Sequence, residues 1–180
     1  MRHLFKAITF VLICLPLAAS ANKNAIVQHA HELAKRIERA LHKNELTQPQ
    51  IYTYLTEMVT FDDRIYGSAL AFNPSFLHGH AFFLEHNVTE DGRLLYSPYI
   101  FRNKERLLKA IDIGNISEKY GYDYASWDWY KTPMETQQPN WTKPYFDDGG
   151  GGIEMVTYSI PIGEIAILTF DLPHEEEPAK

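Results

Sequence analysis

The sequence predicts one α+β domain: helices first, then a mostly antiparallel sheet. Two observations carry this. A stripe of apolar residues at helical spacing runs through 22–44, and strand-like segments joined by short turns fill the last third of the chain. Hydrophobic content of 45% and charged content of 22% are those of an ordinary globular protein.

The first stretch, MRHLFKAITFVLICLPLAASA, has the three parts of a secretory signal. Arg2 and Lys6 form the positive start, 7–17 is the apolar run, and Ala19-Ser20-Ala21 fits a small-x-small cleavage site. Residues 1–21 are therefore expected to be a signal peptide that delivers the chain to the periplasm. The alternative is an uncleaved anchor in the inner membrane, although the apolar run is short of the ~20 residues a span needs. Cys14 is the only cysteine, so a cleaved chain has no disulfide, thiolate nucleophile or cysteine metal site.

In the stripe, Ile26, Ala30, Leu33, Ala34, Ile37, Ala40 and Leu41 share one face, which makes 22–44 a long amphipathic helix. A second helix is expected from Pro49 to Val59, opened by a Thr47/Gln50 capping box. IYGSALAF (65–72) and LLYSPYIF (94–101) read as strands, with Pro98 pushing the latter to an edge or a bulge. Residues 103–120 are expected to hold a short helix and a loop. DWYKTPMET (128–136) reads as a short helix that Asp128 caps. WTKPYF (141–146), IEMVTYSIPI (153–162) and EIAILTFDL (164–172) read as antiparallel strands, and 173–180 as a loose charged tail. Residues 22–172 thus form a single domain.

Charge excludes some functions. The formal charge is −6, and loss of Arg2 and Lys6 with the signal takes it to −8. An acidic chain without a basic stripe is not built for nucleic acid. No serine sits in a nucleophile elbow, since Ser68 lies in GSA with no helix start behind it. Nothing selects a catalytic carboxylate pair, so no enzyme activity, cofactor or metal is expected; a small periplasmic hydrolase is the weakest alternative. His78 and His80 with His86 or Glu85 are the one metal-like spacing, and exposed loop histidines are the commoner explanation.

The stretch 122–162 stands out. It holds all three tryptophans, five of the eleven tyrosines, and a run of four glycines, 149–152. Wide aromatic faces beside carboxylates suit a binding pocket with a polar floor. The glycine run sits between two strands and lacks a lysine, so it reads as a hairpin loop or lid rather than a phosphate cradle.

These segments, taken in order, resemble the Cache domains, the periplasmic sensor modules of bacterial chemoreceptors, histidine kinases and phosphatase-type regulators. DWYKTP (128–133), WTKPYFDDGGGG (141–152) and MVTYSIPI (155–162) carry the resemblance most strongly, with IYGSALAFNP (65–74) and YSPYIFRN (96–103) in support. It implies a PAS-like fold, with the long N-terminal helix packed on a curved, mostly antiparallel sheet and a small ligand held between sheet and loops. In members that bind amino acids, an arginine, a tyrosine and a tryptophan hold the carboxylate, while tyrosine and aspartate hold the ammonium group. The matching positions here are Tyr122, Trp129, Tyr130, Tyr145, Asp147 and Asp171. Trp127 occupies the arginine position. The resemblance therefore implies an amine-bearing or amino-acid-like ligand without the carboxylate grip.

Residue chemistry points the same way. Trp127, Trp129, Tyr130 and Tyr145 offer π-faces to a cation, and Asp147 and Asp171 offer charge-assisted hydrogen bonds. The alternative is that the aromatics are core and the aspartates cap turns. Asp171 ends a very apolar strand, where an unpaired carboxylate would be costly. The expectation is a non-catalytic ligand-binding sensor that signals through a membrane protein, either as a free partner or as the truncated sensor part of a receptor, since the chain stops at Lys180 without an output domain.

Overall fold

The computed structural model describes residues 22–77, 94–114, 123–147 and 152–174. Helix α1 (Lys23–His42) starts at Asn22, whose side chain accepts from the Ala25 amide at 2.8 Å. Its stripe is buried at Ile26, Ala30, Leu33, Ala34, Ile37 and Ala40. Helix α2 (Gln48–Phe61) has both halves of the Thr47/Gln50 capping box and buries Ile51, Leu55, Met58 and Val59. These two helices extend no more than a few residues beyond or inside the spans read from sequence, because caps and periodicity are local signals.

The strands are β1 (Gly67–Phe72), β2 (Pro98–Arg102), β3 (Leu108–Asp112), β4 (Asn140–Trp141), β5 (Tyr145–Asp147), β6 (Ile153–Ile162) and β7 (Ala166–Pro173). They form one antiparallel sheet in the order β3-β2-β1-β7-β6-β4, with β5 also paired to β6. A short helix α3 (Pro74–Leu77) follows β1, and α4 (Asp128–Thr136) precedes β4. This is the α+β layout the sequence predicts, with two long helices on one face. Those helices and the sheet enclose the main core, which includes Leu70, Phe72, Ile160, Ile162, Leu168 and Phe170.

Four local expectations are corrected. Part of the stretch 103–120, expected to hold a short helix and a loop, is instead a strand: 108–112 is β3, paired with β2, while 113–114 are helical and 115–120 lie outside the described residues. Residues 108–110 are exposed, and an edge strand of this kind is held by its neighbour's backbone rather than by its own pattern. The segment 141–146 is not one strand. It breaks at Pro144, which lacks a donor, and Thr142 Oγ accepts from the Thr157 amide instead. Pro98 is neither at an edge nor in a bulge but opens β2, an inner strand. Asp128 does not cap α4; the N-cap is Trp127, without a side-chain bond, and Asp128 lies in the first turn, where its charge suits the helix dipole.

His29 and His31 of α1 serve separate partners, as their spacing predicts. The His29 ring stacks on Phe61 at 4.0 Å, and His31 Nε2 lies 3.1 Å from the Tyr158 hydroxyl. The signal segment, His78, His80, Glu85 and His86 lie outside the described residues.

Candidate ligand pocket

The pocket is built on the sheet face turned away from α1 and α2. Side chains alternate along a strand, so β1 presents Gly67, Ala69 and Ala71 on this face, and β7 presents Ile167, Thr169 and Asp171. A short 3-10 turn (Tyr124–Ser126) and α4 pack over it. Tyr124 anchors them: it is fully buried and donates to the Phe72 carbonyl at 2.6 Å. Trp129 and Tyr130 lie 6.2 and 5.2 Å from the Tyr124 ring and pack with Ala71, Leu95 and Ile167 as a second apolar cluster.

Beside this cluster lies a cavity of about 440 Å³, within the range of small-molecule sites. Its wall consists of Ser126, Trp127, Asp128, Trp129, Thr142, Lys143, Pro144 and Tyr145. Trp127 is partly open to solvent, and its ring meets that of Tyr145 at 6.1 Å with a 58° tilt. The wall thus offers aromatic faces, a carboxylate, an ammonium group and three hydroxyls, those of Ser126, Thr142 and Tyr145.

Behind Tyr145 a chain of hydroxyls leads to a buried carboxylate. The Tyr145 and Thr157 hydroxyls are 2.7 Å apart. Thr157 Oγ1 donates to one oxygen of Asp171 at 2.7 Å, and Tyr99 donates to the other at 2.9 Å. Gly67 makes the second bond possible. It is paired with Asp171 on one side and Phe101 on the other, so Tyr99 must cross over it to reach the carboxylate. A Cβ on residue 67 would stand 2.1 Å from the Tyr99 oxygen. Burial pushes the Asp171 carboxyl up to about 7, against the two hydrogen bonds that favour its charge and with the help of Asp147. Burial likewise holds the Tyr99 hydroxyl well above its ordinary range, so Tyr99 stays a donor.

Of the residues singled out by sequence, Trp127, Trp129 and Tyr145 meet around the cavity. Tyr130 lies in the apolar cluster behind it. Asp171 stands one layer deeper, reached through Thr157. Asp147 closes β5 opposite Ile153, and its carbonyl accepts from the Gly152 amide at 2.9 Å. Tyr122 and glycines 149–151 lie outside the described residues. Sequence reasoning missed Lys143 and Thr142 in the wall, and Tyr99, Gly67 and Thr157 around Asp171. All five sat in segments already noted, IYGSALAFNP, YSPYIFRN, WTKPYFDDGGGG and MVTYSIPI, but none was singled out as a site residue.

Comparison with known proteins now decides the family. Residues 51–176 match the model of the methyl-accepting chemotaxis protein-like, first PDC sensor domain. The chain belongs to this family. The sensor domain is also similar in fold to the extracellular domain of a protein described as histidine kinase soHK1S-Z6, at 26% identity and a TM-score of 0.59, covering 83% of this chain and 54% of that one. It is similar to methyl-accepting chemotaxis protein X, at 15% identity and a TM-score of 0.58, covering 83% and 57%. The periplasmic sensory domain of the Campylobacter jejuni chemoreceptor Tlp1 matches at 12% identity and a TM-score of 0.55, covering 83% and 53%. The sensor domain therefore spans about half the length of the solved domains it matches. No curated protein matches it by sequence. The chain is thus a sensor domain of the chemoreceptor and histidine-kinase type, related to domains that work outside the cytoplasm. No helix among the described residues is long and apolar enough to cross a membrane.

Proposed function

We propose that the domain binds a small, polar, amine-bearing ligand in the Trp127–Trp129–Tyr145 cavity, without catalysis, and reports its presence to a membrane signalling protein from the periplasm. The observation that carries this reading is the cavity wall itself: Trp127 and Tyr145 rings tilted against each other, with the Asp128 carboxylate in the same wall and Asp171 behind it. Aromatic faces attract a cation by their quadrupole, and a nearby carboxylate adds a charge-assisted hydrogen bond. Lys143 gives an acceptor group on the same ligand a place to sit. Asp147 and Tyr122 complete the expected set of ligand residues, with Tyr130 as support behind Trp129.

Thermal unfolding in the presence of primary and quaternary amines, amino acids and simple carboxylates tests this. A ligand present at about a hundred times its Kd stabilises by about 2.7 kcal/mol, which raises Tm by roughly 5–10 °C for a domain of this size. Amines are expected to act and plain carboxylates not. Silence from every amine, with cooperative unfolding of the free protein, would overturn the reading.

A further inference from the structure

The hydroxyl chain behind the cavity has a direction fixed by proton counting. A hydroxyl carries one hydrogen, and an ionised carboxylate only accepts. With Asp171 ionised, both its bonds must be donated to it, by Tyr99 and by Thr157. Thr157 has then spent its only hydrogen. The 2.7 Å contact between Thr157 and Tyr145 must therefore be donated by Tyr145, pointing inward. What Tyr145 keeps for any further contact is acceptor capacity alone.

We infer that Thr157, held by the buried Asp171 and Tyr99, sets the hydrogen-bonding polarity of Tyr145 in the cavity wall and so selects for ligands that donate hydrogen bonds. Thr157 and Tyr99 are positioning residues; Tyr145 is the wall residue they orient. The inference rests on the proposed cavity being the ligand site, and it supplies a reason for amine over carboxylate that is independent of the aromatic faces. Protonation reverses the chain. A neutral Asp171 can donate to Thr157, Thr157 can then donate to Tyr145, and the Tyr145 hydrogen is released to point elsewhere. The ionisable groups facing Asp171 are Tyr66 beside β1, Tyr99 on β2 and Asp147 on β5, with Tyr145 next along the chain. Asp147 carries the one charge among them, and its sign favours the neutral form of Asp171. The raised value of Asp171, about 7, places the reversal near neutral pH.

Carbon NMR of the ligand-free protein, labelled at aspartate Cγ and tyrosine Cζ, tests the relay without any ligand. Signals are assigned with Asp171→Asn and Tyr145→Phe, and pH is scanned around neutrality. Asp171 and Tyr145 are expected to move with one midpoint. In Thr157→Val the Tyr145 response is lost while Asp171 still titrates, and Thr157→Ser restores it. Tyr99→Phe, which removes one donor to the carboxylate, shifts both midpoints upward together. A Tyr145 signal that stays still while Asp171 titrates would overturn the relay, as would a response that survives in Thr157→Val, because a through-space charge effect would then suffice. An Asp171 that does not titrate in the scanned range would also overturn it. If the relay holds and no amine binds, the relay stands and the proposed ligand class falls.

Discussion

On β7, Ala166, Leu168 and Phe170 turn toward the helices, while Ile167, Thr169 and Asp171 turn toward the pocket. On β6, Tyr158, Ile160 and Ile162 face the helices, and Thr157 and Ser159 face the other way. On β1, Leu70 and Phe72 oppose Gly67, Ala69 and Ala71. The same three strands thus carry large apolar residues on one face and mostly small or hydroxylated ones on the other. The first face gains stability from area removed from water. The second leaves room for Tyr99 to cross Gly67 and for a carboxylate to be buried with its hydrogen bonds satisfied. One face of the sheet is spent on the main core, and the opposite face carries the smaller apolar cluster and the buried carboxylate behind the cavity.

Four substitutions break or sharpen this contrast. Phe170→Ala on the helical face removes a fully buried ring packed on Trp141 and Tyr158, and is expected to cost about 3–5 kcal/mol in urea unfolding. Asp171 gives a pH signature from the other face. Its carboxyl holds a proton more tightly when folded, at about 7 against a usual 3.8. The folded state therefore binds more protons between these values, and the Asp171 contribution to stability falls as pH rises through that window and levels off above it. Asp171→Asn cannot ionise, so the stability difference between it and the wild type should change across the window by a few kcal/mol at most; a constant difference would refute the raised value.

Gly67→Ala drives a methyl group into the Tyr99 ring and is expected to cost about 1–3 kcal/mol. Most of that cost should vanish in the background of Tyr99→Ala, so the pair is non-additive in a double-mutant cycle. Additive effects would show that Gly67 is not there to admit Tyr99. The smallest change is expected at Leu107, which is 59% exposed beside the β2–β3 turn, away from both faces. Leu107→Ser should alter unfolding by no more than about 0.5 kcal/mol.

How much of this was legible in the sequence follows the range of each signal. Helices α1, α2 and α4 and strand β6 were readable because apolar period and capping residues act within a few positions. Strand β3 was not, because residues 108–112 are shaped by the neighbouring backbone of β2. The site divides in the same way. Trp127, Trp129 and Tyr145 could be found by their crowding in one stretch, and Asp171 by a carboxylate closing an apolar strand. Tyr130 shared that crowding yet packs into the apolar cluster, since helical rotation turns neighbouring side chains in different directions.

By itself, then, the sequence determined the α+β class, the family and the aromatic stretch that forms the pocket. These rest on local pattern and on the order of motifs along the chain. Tertiary structure alone decided that Tyr99 reaches Asp171 across a span of 72 residues, that only a glycine at 67 permits it, and that Thr157 links the buried carboxylate to the cavity wall. Strand register brought those groups together, and register is set by the whole sheet.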